Sequence, residues 1–137
     1  MKSDAMTQGP PRSLVKAALK ARRRARAAYS GFKVGAALQV DGNKIHSGCN
    51  IETASFGLSV CAERVALLKA VSEGAETFHA VAVVTGARDV TPPCGACRQL
   101  LWEYCGDIPV HLVNLRGKVR TYRLAELLPI PFDRSSL

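Results

Sequence analysis

The sequence predicts a single α/β domain with one sheet held between helices. Three observations predict it. The chain has 137 residues, 47% hydrophobic and 22% charged, which suits one globular unit with one ordinary core. Helix-like and strand-like segments follow the order αββαβαββα, the pattern of a sheet covered by helices. The stretch "HAVAVVT" is an unbroken apolar run of β-branched type, as a strand covered on both faces requires.

Residues 1–12 are polar and rich in Pro and Gly, and a flexible tail is expected there, with the domain proper over 13–137. Ser13 is placed to cap a helix running to near Tyr29, in which Leu14, Ala18, Ala21, Ala25 and Ala28 recur at helical spacing. "KVGAALQV" and "KIHSGCNI" read as two strands joined by "DGN", a hairpin signal. "CAERVALLKAVSEG" reads as a helix closed by Gly74. It is apolar on most sides (Ala62, Val65, Ala66, Leu67, Leu68, Ala70, Val71), so the sheet, another helix or another subunit must cover it. "TPPCGACRQLLWEYC" passes from a proline turn into a helix. "IPVHLVN" and "KVRTYRL" read as further strands around a turn at Arg116 and Gly117, and "LAELLP" as a short closing helix stopped by Pro129.

The net charge is +8, and much of it sits in "KAALKARRRARAAY". There Lys16, Lys20, Arg22, Arg23, Arg24 and Arg26 fill the positions between the apolar residues, giving an amphipathic helix with a solvated basic face. A charge run by itself is weak ground for a nucleic-acid partner, and none is expected. No apolar run reaches the length of a membrane span, and "MKSDAMTQGPP" has no apolar core of the signal-peptide kind. A cytoplasmic protein with reduced cysteines and no membrane partner is expected.

Five cysteines are present: Cys49, Cys61, Cys94, Cys97 and Cys105. An odd count argues against a disulfide framework and leaves metal binding or plain burial. Cys61, Cys94 and Cys97 fall at helix starts. Free N–H groups and the helix dipole lower a thiol's pKa there, and the thiolate is the form that binds metal. The spacing of Cys94 and Cys97 lets both reach one zinc, with Cys61 as a third ligand brought in by the fold. Three thiolates leave one tetrahedral position, which a structural site fills with a fourth protein ligand and a catalytic site leaves to water. Cys49 and Cys105 could compete for that place, but buried cysteine is common without any special role. His46, His79 and His111 lie in strand-like segments without paired ligand spacing. Glu63 is a buried acid in search of a partner, since a carboxylate is costly to bury alone. Beside a zinc-bound water, whose pKa falls to roughly 7, it can take up a proton and deliver it elsewhere.

Cys61-x-Glu63 followed by Pro93-Cys94-x-x-Cys97 is the established zinc-deaminase signature in its three-cysteine form. From about Tyr29 to Phe132 the chain resembles the small, tetrameric, three-cysteine cytidine deaminases. "YSGFKVGAAL", "GCNIETASFGLSVCAERVALLKAVSEG", "PPCGACRQLLWE" and "LAELLPIPF" carry the resemblance. It implies a three-layer α/β/α fold with a mixed five-stranded sheet. It implies zinc-dependent hydrolytic deamination of cytidine and 2′-deoxycytidine in pyrimidine salvage, with one Zn²⁺ per chain. By position, Cys61, Cys94 and Cys97 bind zinc and Glu63 shuttles the proton. Phe32 lines the nucleoside pocket, and Asn50 and Glu52 hold the ribose 3′-hydroxyl. Ala54, Phe56 and Phe132 approach the substrate from a neighbouring subunit of a homotetramer with shared active sites, Phe132 by stacking on the base. Arg64 hydrogen-bonds the cysteine sulfurs and offsets the net −1 charge of zinc with three thiolates.

Three departures stand out. Ala28 replaces the proline of the usual Pro-Tyr-Ser, and Phe56 replaces a tyrosine, removing a hydroxyl. Pro92 stands where Ser or Thr is usual; the family uses that residue's backbone carbonyl, which proline retains. Blasticidin-type deaminases share the C-A-E and P-C-x-x-C-R elements, but "FKVGAAL" and "NIE" point to cytidine. Deaminases of bases in RNA or DNA typically place His in the first ligand position. A purely structural zinc site would require Cys49 or Cys105 as a fourth ligand and give Glu63 no role.

Overall fold

The computed structural model describes residues 9–137, so most of the expected tail lies outside it. The elements are α1 (Arg12–Arg22), β1 (Val34–Val40), β2 (Lys44–Cys49), α2 (Ala62–Ser72), β3 (Phe78–Thr85), α3 (Gly95–Cys105), β4 (Pro109–Asn114), β5 (Val119–Arg123) and α4 (Leu124–Leu127). Short 3₁₀ turns lie at Phe56–Leu58 and Arg134–Ser136. The five strands form one sheet in the order β2-β1-β3-β4-β5. β3 and β4 are parallel and every other pair is antiparallel, so the sheet is mixed, as expected.

Alternation along the central strands sends side chains to two cores. Ala36, Leu38, Val40, Val81 and Val83 pack against Ala66, Leu67 and Ala70 of α2 and Leu101 of α3. Ala37, Ala80, Ala82 and Val84 pack on the other face against Leu14 and Ala18 of α1. Thus "HAVAVVT" is covered on both sides, and the layers are α1, sheet, then α2 with α3. The small residues set the spacing. A Cβ built on Gly35 would lie 2.0 Å from the Ala18 carbonyl oxygen, and one on Gly48 would lie 2.7 Å from the Ala66 amide nitrogen. Gly35 lets α1 lie close on β1, and Gly48 does the same for α2 on β2.

Both ends of the first helix differ from expectation. It starts at Arg12 with Pro11 as its N-cap residue, not Ser13, and no side chain caps it. Proline in this region suits a helix start, because its fixed φ is preorganised for the turn and the first N–H groups have no intrahelical partner. The helix ends at Arg22, seven residues before Tyr29, although apolar spacing continues through Ala25 and Ala28. Arg24 and Ala25 turn back in tight bonds to the Ala21 and Arg22 carbonyls, and Arg26 then pairs with Asn50 and Glu52 by two backbone bonds of 2.9 Å. Pairing beside β2 wins over helix periodicity because it satisfies backbone groups on both chains. The remaining boundaries agree with the sequence reading to within two residues.

His111 on β4 is completely buried. Its Nδ1 lies 2.8 Å from Thr121 Oγ1, while Nε2 is buried without a partner. The neutral tautomer protonated on Nδ1 fits best, since it leaves a lone pair rather than an N–H unsatisfied. Burial lowers its pKa from 6.5 to about 4. The unfolded chain therefore takes up a proton before the folded chain does. His111 should remove no stability above pH 6.5 and an increasing amount as pH falls toward about 4, totalling about 3 kcal/mol. Comparing urea unfolding of the parent and His111→Leu between these limits tests it: the parent should lose stability more steeply, and parallel curves would refute the assignment.

Candidate active site

The α2 and α3 N-termini converge at one edge of the sheet. Cys61 is the N-cap residue of α2 and Cys94 that of α3, and neither sulfur caps its own helix. Both sulfurs are thus available to a third party while sitting in the positive field of a helix start. Cys97, wholly buried in the first turn of α3, completes the group. The Sγ atoms of Cys61 and Cys94 are 3.9 Å apart, those of Cys94 and Cys97 3.4 Å, and all three lie within 4.8 Å of one another. Thiolates 2.3 Å from a tetrahedral zinc would stand about 3.8 Å apart, so the spacing fits that ion. The protonation conflict in the group points the same way. Hydrogen bonding from Cys97 holds the Cys61 thiol far below its ordinary range, while sharing with Cys61 and burial push Cys97 up. A divalent cation among the sulfurs removes that conflict.

Cys49 and Cys105 stand outside this group, which removes the fourth ligand that a structural zinc site would need. Burial pushes the Cys105 thiol up to about 12, a neutral side chain rather than a ligand. Metal analysis checks the division. We expect about one zinc per chain in the parent and in Cys105→Ala, and a large loss in Cys97→Ala. Zinc lost with Cys105 would restore it as a ligand.

Glu63, in the first turn of α2, is only 6% exposed. Among the described residues no other side chain hydrogen-bonds its carboxyl. Burial, with a lesser push from Cys61, raises its pKa to about 7. That value suits a group asked to take and return a proton near neutral pH. Arg64 donates through Nη2 to the Ser59 carbonyl at 3.3 Å, while its Nε is buried without a partner. Burial opposes its charge, but hydrogen bonding to Cys61 and the charges of the three cysteines outweigh this and raise its pKa.

Cys61, Glu63 and Cys94 open onto a cavity of about 330 Å³, whose other lining includes Phe32, Asn50, Glu52, Val83, Thr85 and Pro92. Its volume lies within the range of small-molecule sites. Asn50 is buried, with one of its hydrogen-bonding positions left over: Oδ1 accepts from the Val34 amide at 2.9 Å, and Nδ2 donates to the Phe32 carbonyl at 2.8 Å and to Glu52 Oε2 at 3.3 Å, which leaves the second lone pair of Oδ1. It fixes the entry to β1 and with it Phe32. Glu52 accepts from the amides of Tyr29 and Ser30 at 3.0 and 2.9 Å and from the Ser30 hydroxyl. These bonds, led by the Ser30 hydroxyl, hold its carboxyl below the usual range. The early end of α1 makes them possible, since a longer helix would spend those amides on its own carbonyls.

With the fold and this geometry established, the chain can be set against known proteins. The sequence model described as "Cytidine and deoxycytidylate deaminase zinc-binding region" matches residues 10–111. The chain belongs to this family. A cytidine deaminase of Halalkalibacterium halodurans is 48% identical over 125 residues, covering 90% of this chain and 95% of that protein. One of Sporosarcina psychrophila is 45% identical over 125 residues, covering 90% and 92%. The crystal structure of a cytidine deaminase from Burkholderia pseudomallei superimposes with a TM-score of 0.86 at 44% identity, covering 90% of this chain and all of that one.

As a member of the zinc-binding deaminase family, the chain brings seven of the expected residues together: Cys61, Cys94, Cys97, Glu63, Phe32, Asn50 and Glu52. Ala54, Phe56 and Phe132 do not line the cavity within one chain, and the two phenylalanines are 71% and 61% exposed. Sequence reasoning passed over Thr85 and Thr91, whose hydroxyls bond each other at 3.1 Å in the cavity wall. Thr85 is the one polar residue at the end of an apolar strand, a signal that was readable. No comparable signal marked Thr91.

Proposed function

We propose that the protein hydrolytically deaminates cytidine and 2′-deoxycytidine to uridine and 2′-deoxyuridine, releasing ammonia, with one Zn²⁺ per chain. The observation that carries this reading is a buried Glu63, its carboxyl met by no other side chain among the described residues, opening into the cavity that Cys61 and Cys94 line, beside three sulfurs at zinc spacing. When bound by Cys61, Cys94 and Cys97, zinc supplies a Lewis acid that lowers the pKa of water to near neutrality. Glu63 takes the proton from the water that adds to C4 of the ring. It delivers that proton to N3, then takes the proton of the new C4 hydroxyl and passes it to the amine, which leaves as ammonia while the C4–N4 bond breaks and the C4 carbonyl forms. Arg64 offsets the negative charge of the sulfurs. Phe32 walls the pocket, and Asn50 and Glu52 hold the 3′-hydroxyl, a grip that accepts ribose and deoxyribose alike. The Pro92 carbonyl receives the substrate's amino group.

The catalytic unit spans residues 13–137 and acts as a homotetramer. Tyr29, Ile51, Phe56 and Leu58 leave large apolar surfaces exposed, as do Leu68 on α2 and Ile130 and Phe132 near the C-terminus. A neighbouring chain covers these surfaces, and its Ala54, Phe56 and Phe132 complete the pocket. Free thiols at all five cysteines suit a reducing cytoplasm. Among the described residues no helix is long and apolar enough to cross a membrane.

The test is loss of cytidine absorbance on incubation with the zinc-loaded protein, with blasticidin S and a cytosine-containing oligonucleotide as rival substrates. Turnover of both nucleosides is expected. Turnover of blasticidin S alone, or of the oligonucleotide with steep salt dependence, would replace this reading. Sedimentation checks the assembly, and an active monomer would contradict the shared pocket.

A further inference from the structure

Helix α3 begins with two of the three cysteines, and three of its polar side chains reach toward the C-terminal segment or back to its own start. Arg98 donates through Nε to the Pro93 carbonyl at 2.8 Å and through Nη1 to the Leu127 carbonyl at 2.9 Å. Gln99 donates through Nε2 to the Phe132 carbonyl. Trp102 donates through Nε1 to Asp133 Oδ2 at 2.9 Å. The other oxygen of Asp133 accepts from the Ser135 amide at 2.9 Å and from its hydroxyl. Residues at i, i+1 and i+4 of one helix thus fasten the chain from Leu127 to Ser135.

Beyond Leu127, which packs against the core, what they fasten is not core. Ile130 is 93% exposed and Phe132 61% exposed. Ordering an exposed segment costs conformational entropy, and within one chain no burial of these side chains offsets it. The fastening makes sense if its product is a fixed position for the exposed aromatic ring.

We propose that Gln99, Trp102 and Asp133 are positioning residues that lock Phe132 to the metal-bearing helix in the geometry a neighbouring chain's pocket requires. This rests on the proposed role of Phe132 in trans. A ring held in its bound position loses less freedom when a nucleoside stacks on it. The lock therefore acts on substrate binding and leaves the chemical step alone. It also makes each metal helix a rigid arm reaching toward the adjoining site.

Kinetics of Phe132→Ala, Trp102→Phe, Asp133→Ala and Asp133→Asn test it, with zinc content and thermal midpoint measured alongside. Trp102→Phe keeps the ring but loses the N–H donor, and should raise KM for cytidine about three- to tenfold with kcat and zinc near the parent. Asp133→Ala should match it. Asp133→Asn keeps one carbonyl acceptor, which can face Trp102 or Ser135 but not both, and should raise KM less than Asp133→Ala. In the Phe132→Ala background, Trp102→Phe should add nothing further. Should Trp102→Phe fold poorly, the Asp133 pair, on the exposed segment, carries the test. Unchanged KM in Trp102→Phe and Asp133→Ala alongside a raised KM in Phe132→Ala would overturn the lock. So would a Trp102→Phe effect that persists in full in the Phe132→Ala background. Unchanged KM in Phe132→Ala would instead overturn the trans role itself.

Discussion

Replacing Glu63 with glutamine is expected to lower cytidine turnover by about 10³-fold or more, within the range for a lost general acid–base group, while zinc content stays at the parent level. Glutamine has the same shape and size, so the packing of α2 should survive. Glu63 is not among the three residues whose sulfurs converge on the metal position, so the ion should stay. What disappears is a group that can accept a proton and return it. The burial that raises the Glu63 pKa to about 7 is what fits it for this exchange. An ordinary exposed carboxylate, ionised well below neutrality, would take the water's proton less readily and would hold it poorly for the leaving amine. Single-turnover measurements with metal analysis on the same samples give the answer. The loss should appear in the chemical step with substrate binding retained. Parent-like turnover in Glu63→Gln would remove Glu63 from the mechanism, and loss of zinc would make it a metal-holding residue.

Gly35→Ala should be the most damaging of the small substitutions. The added carbon would lie 2.0 Å from the Ala18 carbonyl oxygen and 2.7 Å from the Arg22 amide nitrogen. Both are backbone atoms of α1, so no side-chain rotation relieves the clash. The helix must lift from the sheet, loosening Leu14 and Ala18 from Ala37 and Ala82. The expected cost is about 3 kcal/mol, the upper part of the usual range for overpacking. For a domain of this size that corresponds to a fall in thermal midpoint of about 10 °C. The effect should also reach the pocket. The chain leaving α1 carries the Tyr29 and Ser30 amides to Glu52, so KM for cytidine should rise in whatever fraction remains folded. A thermal midpoint within about 2 °C of the parent would show that α1 can slide, and would overturn the packing account.

The metal site was legible because its signal is local. Cys61 and Glu63 share one helix start and Cys94 and Cys97 another, and thiols at such positions have a chemical reason to be there. The strands were legible for a similar reason, since alternation and unbroken β-branched runs report how many faces are covered. The end of α1 was not. Its apolar spacing runs on past Arg22, and what stops it is a pairing of Arg26 with Asn50 and Glu52, distant in sequence and adjacent only in the fold. The Thr85–Thr91 bond was half legible: Thr85 stands out at the end of an apolar strand, while nothing marks Thr91 a short loop later. The sequence could suggest Asn50 as a sugar ligand, but not that its amide is already committed to the backbone on either side of Lys33.

The sequence by itself determined the α/β class, the order of elements, the three sulfurs and the acid beside them. These depend on periodicity and short spacing, which a chain carries whether folded or not. Only the tertiary structure decided that the sulfurs of two helices stand 3.9 Å apart, that burial raises the Glu63 pKa to about 7, and that Glu52 collects amides released by a helix ending early. Distances between remote residues and the loss of water around a charge exist only once the sheet brings the helix ends together.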